Sequence, residues 1–282
     1  MRAEQLTDPI AYHAEGPVWS ARWGGLRWVD AFAGDVLSLA RSGAIERRHV
    51  GRLAAALRPR RRGGAVIAVE DGFALQDADG TVRPFPPLWS QYDRRMNDGG
   101  CDPQGRFYCG STTNGARPGA CAVYRLDADG SIHRVLEGVT VSNGLEWSPD
   151  GARAYYVDSA CQRVDVFDYE PDAGLSGRRG FVSVPASAGT PDGLTVDGEG
   201  AVWVALYGGG VVRRYTPDGV LDAVIDVPAR QVTACTFGGE RLQELFITTS
   251  RENLAPDDDP LAGSVFRVPV GLPGQPAREF AG

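Results

Sequence analysis

Four oxygen-bearing residues, Glu15, Asn97, Asn143 and Asp192, stand at one register of a repeating pattern, each five residues before a short turn that feeds a strand-like run. The segments are Glu15-Gly16-Pro17-Val18-Trp19, Asn97-Asp98-Gly99-Gly100-Cys101, Asn143-Gly144-Leu145-Glu146-Trp147 and Asp192-Gly193-Leu194-Thr195-Val196. Two carboxylates and two amides form a hard-oxygen set, suited to calcium or magnesium and able to hold zinc or manganese with water ligands. If the repeats surround an axis, the four oxygens meet at one point. Taken singly, each residue could instead be a turn former, because Asx-Gly and Glu-Gly side chains bond local backbone.

The elements that would position them repeat as well. Runs rich in β-branched and aromatic residues begin at Leu26, Ala65, Arg106, Ala154, Ala201 and Glu244, about 40 to 50 residues apart, the period of one propeller blade. A second run follows each, beginning at Val36, Gly72, Ala122, Val164, Val211 and Ser264, and its period-two alternation predicts half-buried antiparallel strands. Asp79-Gly80, Asp129-Gly130 and Asp218-Gly219 read as two-residue hairpin turns in which glycine supplies a positive φ. The expectation is an all-β chain, a six-bladed β-propeller of four-stranded antiparallel blades, with residues 1–282 forming a single domain.

Composition agrees, with 37 Gly and 19 Pro for the many turns. Helical periodicity is absent apart from residues 51–57, where one short helix could form. The net charge of −7 gives no broad basic footprint for nucleic acid. The basic cluster Arg58-Pro59-Arg60-Arg61-Arg62 reads as a solvated loop between blades. The first residues lack the apolar stretch of a signal peptide, and no run of eighteen apolar residues would span a membrane, so a soluble, cytoplasmic protein is expected. Five cysteines at irregular spacing indicate neither a disulfide framework nor a zinc ribbon, and read as small apolar residues packed on strands.

The ring of register positions is lopsided. The sixth repeat holds Thr233 there, and the second offers only Ala54 to Ala56. His13, His49 and His133 fall outside the register. The apolar positions that follow, Trp19, Trp147, Val196 and Phe237, read as core.

With these residues in hand, the chain resembles the six-bladed gluconolactonase and regucalcin-like (senescence marker protein) lactonases. The resemblance rests on Glu15-Gly16-Pro17-Val18-Trp19, Arg95-Met96-Asn97-Asp98-Gly99, Asp102-Pro103-Gln104-Gly105-Arg106-Phe107, Ser142-Asn143-Gly144-Leu145, Tyr155-Tyr156-Val157-Asp158-Ser159 and Pro191-Asp192-Gly193-Leu194, in that order along essentially the whole chain. It implies that Glu15, Asn143 and Asp192 are metal ligands for one divalent ion. It further implies that Asn97 lies near metal and substrate, that Arg95 binds substrate, and that Asp98 belongs to the same substrate loop. One departure concerns the stretch after the third blade's inner strand, where several sugar lactonases of this family carry a substrate-contacting Glu. Here Asn114-Gly115-Ala116-Arg117-Pro118-Gly119 contains no acid.

The expected chemistry is hydrolysis of a small lactone, with Asp192 as ligand and base and Arg95 stabilising the oxyanion or anchoring a ring hydroxyl. A serine mechanism is disfavoured, because there is no Gly-x-Ser-x-Gly elbow and no histidine in a turn beside a nucleophile. Two alternatives stay open: another metal-dependent reaction on the same scaffold, and a non-enzymatic calcium-binding propeller.

Overall fold

The computed structural model describes residues 1–40, 42–255 and 257–282. Six four-stranded antiparallel sheets follow one another around an axis, with strand order matching chain order in five of them. The first strand of each blade is innermost: Ala14–Ser20, Ala54–Pro59, Arg94–Cys101, Ser142–Trp147, Thr190–Val196 and Val232–Gly238 contact one another in a closed ring. The sixth blade takes its outer strand from the other end of the chain, where Glu4–Gln5 pairs with Val265–Pro269. The chain ends thereby close the ring. Among the described residues there is no α-helix, and no helix long and apolar enough to cross a membrane.

Each blade's second strand is buried on both faces, because both faces meet a neighbouring blade. Tyr155 packs toward the fifth blade and Tyr156 toward the third, and Val29 and Trp28 divide in the same way between the second and sixth. Six apolar clusters result, one at each blade–blade interface. In the first three blades the third strands are also mostly buried, which corrects the half-buried reading there, whereas Val265–Pro269 keeps the expected alternation, with Arg267 and Pro269 exposed. Sheets covered on both sides carry near-continuous apolar strands. At the rim the outer strands face solvent along most of their length, as in Ile45–His49.

Four other expectations change. Residues 51–57 form no helix, since Ala54–Pro59 is the second blade's inner strand, paired to Ala65–Val69. Alanine's helix propensity yields to that ladder and to burial between blades. The arginine run is only partly solvated: Arg60 is buried and bonds Gln76 O, Asp77 and Gly282 O, whereas Arg61 and Arg62 are exposed. The Asp-Gly turns are three-residue loops. At one of them Asp77 N–H donates to Thr81 O, Gly80 N–H donates to Asp77 O, and Gly80 has φ 90°. Of the cysteines, Cys101, Cys109, Cys121 and Cys235 are buried on strands, but Cys161 is exposed in a 3-10 turn.

The last residues run as a strap across one mouth of the channel. Gly198 N–H donates to Pro273 O, Gln275 Nε2 donates to Trp147 O and Val196 O, Arg278 donates to Ser148 O, and Ala281 N–H donates to Gly105 O. These partners sit at or just past the C-terminal ends of the inner strands. The opposite mouth, at their N-terminal ends, is left for a site.

Candidate functional site

All six inner strands carry a β-bulge near the register position. The inner strand carries one residue more than its partner between Glu15 and Val18, Ala54 and Ala56, Met96 and Gly99, Ser142 and Leu145, Pro191 and Leu194, and Val232 and Ala234. A bulge re-aims a side chain out of the ladder. Here the side chains re-aimed include those of Asn97, Asn143 and Asp192, so these residues lie within strands and are not turn formers. The glycine after two of them serves close packing at the axis. A Cβ on Gly193 would stand 2.4 Å from Ala234 Cβ, and one on Gly144 would stand 2.5 Å from Leu194 N.

At the open mouth lies a cavity of ≈400 Å³, and its walls include Glu15, Arg95, Asn97, Asn143 and Asp192. Residues from the first, third, fourth and fifth blades thus converge as the repeat predicts. Two larger clefts, ≈580 and ≈630 Å³, lie between the first blade and its neighbours and gather none of these residues.

A chain of hydrogen bonds fixes the two amides. Arg95, a donor only, bonds Asn97 Oδ1, so Asn97 Nδ2 must face Asn143 Oδ1, at 2.8 Å, and Ser142 O. From the other end, Ser159 Oγ gives its one proton to Pro191 O (2.7 Å) and can only accept from Asn143 Nδ2 (2.7 Å). Both ends therefore direct Asn143 Oδ1 the same way, with one lone pair left over. Arg95 also lies over Phe32, 5.1 Å from the ring centre, and forms no ion pair within 4 Å among the described residues.

The acids are crowded. Burial, and next the charge of Asp98, push the Glu15 carboxyl up to about 8 against the opposing Gly16 N–H and Arg95. Burial, then Glu15 and Asp98, hold Asp192 well above the usual carboxylate range. No described residue donates a hydrogen bond to the Asp192 carboxylate.

Asp98 is not among the residues lining the cavity. It is buried, its Oδ1 accepts from Gly99 N–H at 2.6 Å, and Arg58 is its charge partner. Thr233 is turned away too, its Oγ1 donating to Ala14 O and lying 2.9 Å from Thr248 Oγ1. Trp147, Val196 and Phe237 are core, and Trp19 is half-buried on Phe246.

Sequence reasoning missed several wall residues: His13, Ser159, Gln162, Tyr207 and Glu252. Glu252 lies beyond the sixth blade's second strand, outside any repeat register. His13, two residues before Glu15, could have been found from strand periodicity. Its Nδ1 is 2.7 Å from Ser250 Oγ, although the two residues face each other across a β-bridge and neither sits in a turn. The pair is no serine-hydrolase site, since Ser250 is fully buried and Glu252 approaches the same histidine nitrogen, at 3.6 Å, so no relay runs across the ring. Burial and Arg95 push His13 down to about 3, which keeps it neutral.

The residues fit a divalent cation. Glu15, Asp98 and Asp192 are buried near one another, with the arginine charges of Arg95 and Arg58 opposing them. A cation removes that repulsion, and Asn143 offers an oriented neutral oxygen. Among the described residues no three acids, histidines or cysteines form a chelating group on their own, so a cation held here would also draw on the Asn143 oxygen.

Residues 13–251 match the family model described as SMP-30/Gluconolactonase/LRE-like region. The chain is 35% identical over 282 residues to regucalcin from Danio rerio, covering 95% of this chain and 94% of the relative. It is 36% identical over 277 residues to 6-deoxy-6-sulfogluconolactonase from Pseudomonas putida, with the same coverage. The solved structure of regucalcin from Agrobacterium tumefaciens, described as a calcium-binding protein, superposes with a TM-score of 0.92 at 26% identity, over 99% of this chain and 97% of that one. With its bulged inner strands, its oxygen-lined mouth and these matches along nearly its whole length, the chain belongs to the SMP-30/gluconolactonase/LRE-like family.

Proposed function

We propose that the protein is a divalent-metal-dependent lactonase that opens a sugar lactone or a related small lactone. The observation that carries this reading is the convergence of Glu15, Asn143 and Asp192 on one cavity, with Arg95 and Asn97 beside them. The relative named for a sulfogluconolactone supports lactone hydrolysis, and the neighbour described as calcium-binding supports a cation. Its partner on this reading is a small molecule, not a nucleic acid or a membrane.

Glu15, Asn143 and Asp192 would hold the ion, which could be calcium, zinc, manganese or magnesium. Bound there, it supplies Lewis acidity to the lactone carbonyl and lowers the pKa of a nearby water. Arg95 donates to the carbonyl oxygen or an adjacent ring hydroxyl through its planar fork. Asn97 spans Arg95 and Asn143, and so sets the distance between substrate and ligands. The ionised Asp192 carboxylate takes a proton from the attacking water as the new C–O bond forms. It returns that proton to the ring oxygen as the ester C–O bond breaks, leaving a hydroxy acid.

The test is a pH-indicator screen of aldonolactones and simple γ- and δ-lactones after chelation, with Ca, Mg, Mn and Zn each added back. Activity lost on chelation and restored by at least one ion is expected. Full activity after chelation removes the metal dependence, and no turnover of any lactone removes the reading.

A further inference from the structure

The cavity has an acid that neither the metal site nor the hydrolytic step uses. Glu252 lies on the wall contributed by the sixth blade, with its side chain 29% exposed. Its backbone is pinned at both ends: its N–H donates to Ser250 Oγ at 2.9 Å, and its carbonyl accepts from Gln231 Nε2 at 3.1 Å. Its carboxylate is uncommitted. Oε2 is 3.6 Å from His13 Nδ1, a nitrogen already bonded to Ser250, and no described residue donates a hydrogen bond to it. Across the same cavity the third-blade loop contributes Ala116 and no acid.

Charge bookkeeping around the cavity gives this acid a second consequence. Arg95 is the one arginine in the described lining, and it is already engaged with Met96 O, Asn97 and the Phe32 face. A divalent ion offsets Glu15 and Asp192, leaving Arg95 and Glu252 to offset each other. A phosphate, sulfonate or carboxylate on the substrate would enter without a counter-charge, whereas a ring hydroxyl would find a donor in Arg95 and an acceptor in Glu252.

Resting on the lactonase reading, we propose that Glu252 accepts hydrogen bonds from the substrate's ring hydroxyls and tunes the site to neutral polyhydroxylated lactones over lactones that carry an anionic substituent. From the sixth blade, Glu252 discriminates by hydrogen bonding and by repulsion together.

The experiment compares glucono-δ-lactone, 6-phosphoglucono-δ-lactone and unhydroxylated δ-valerolactone with wild type, Glu252→Gln and Glu252→Asp, each checked for folding by thermal melting. Wild type should prefer the neutral over the phosphorylated lactone by on the order of a hundredfold in kcat/KM. Glu252→Gln should raise KM for gluconolactone about tenfold, with kcat changed by no more than about threefold, and should cut the neutral-to-anionic ratio by roughly ten. It should also narrow the advantage of gluconolactone over δ-valerolactone. Glu252→Asp, which keeps the charge but shortens the reach, should preserve the discrimination against the anion. An equal loss on all three substrates, an unchanged ratio, or a wild-type preference for the phosphorylated lactone would overturn the assignment of Glu252. If wild type opens none of the three but opens another lactone of the screen, this assignment falls alone, and if it opens no lactone at all, the lactonase reading falls and this assignment with it.

Discussion

The fifth and sixth blades use the same backbone device to opposite ends. Both inner strands bulge near the register position, one around Asp192 and the other at Thr233. The Asp192 carboxylate enters the cavity with no described hydrogen-bond donor and is held protonation-prone by burial and by its acidic neighbours. Thr233 folds its hydroxyl back onto Ala14 O and the Thr248 hydroxyl, tying the last blade to the first. The bulge supplies a direction, and the side chain decides whether that direction serves chemistry or closure. A buried carboxylate without a partner is costly and persists where function uses it, whereas a buried hydroxyl with its partners satisfied contributes to stability.

Substitution at the two bulges gives the largest expected contrast. Asp192→Ala should lower kcat/KM for the lactone found in the screen by at least about a thousandfold, because it removes a ligand and the proton carrier together. It should also greatly weaken metal uptake, measured as bound ion per chain. Thr233→Ala should leave turnover within about twofold and lower unfolding stability by about 1–2 kcal/mol in denaturant melts. If the Asp192 variant retains full metal occupancy and turnover, the contrast between the blades is only structural.

A smaller effect is expected at Arg95, which separates substrate binding from metal holding. Arg95→Ala should leave metal content intact and reduce catalytic efficiency by about 2–3 kcal/mol, the range for losing one oxyanion donor. Unchanged turnover and Michaelis constant would return this residue to a packing role over Phe32.

The smallest effect is electrostatic and shows in stability. In the ion-free protein the folded state holds a proton on Glu15 up to about 8, whereas the unfolded chain releases it near the ordinary value of 4.5. The folded state then binds more protons between those values, so this contribution is fully present below about 4.5 and is lost as pH rises through about 8. A bound divalent ion should remove the loss. The rise in Tm on adding the ion should thus be larger at pH 8 than at pH 5, by on the order of 5 °C. An equal rise at both pH values would place the ion away from Glu15.

Much of this was legible in the chain itself. The spacing of Glu15, Asn97, Asn143 and Asp192 located the cavity, because a repeat around an axis brings equivalent positions to one place. Asp98 was not resolved in the same way, since one bulge sends Asn97 to the cavity wall and Asp98 beneath it, and sequence does not say which of two adjacent residues is turned outward. Ala54–Pro59 was obscured because an alanine run favours helix locally, and only its neighbours in the ring make it a strand. Ser159 and Glu252 come from segments outside the strand register, where no period predicts direction.

The number of blades, their four-strand rhythm and the polar register are written in local patterns of alternation, glycine turns and spacing, which short-range sterics and burial dictate. Tertiary structure alone decided the rest. Glu252 reaches the cavity beside His13 although 239 positions separate them in the chain, the Asn143 amide is oriented from both ends by partners on other segments, and three acids share one desolvated volume. Hydrogen bonding and charge act through distance in space, and closing the ring is what sets those distances.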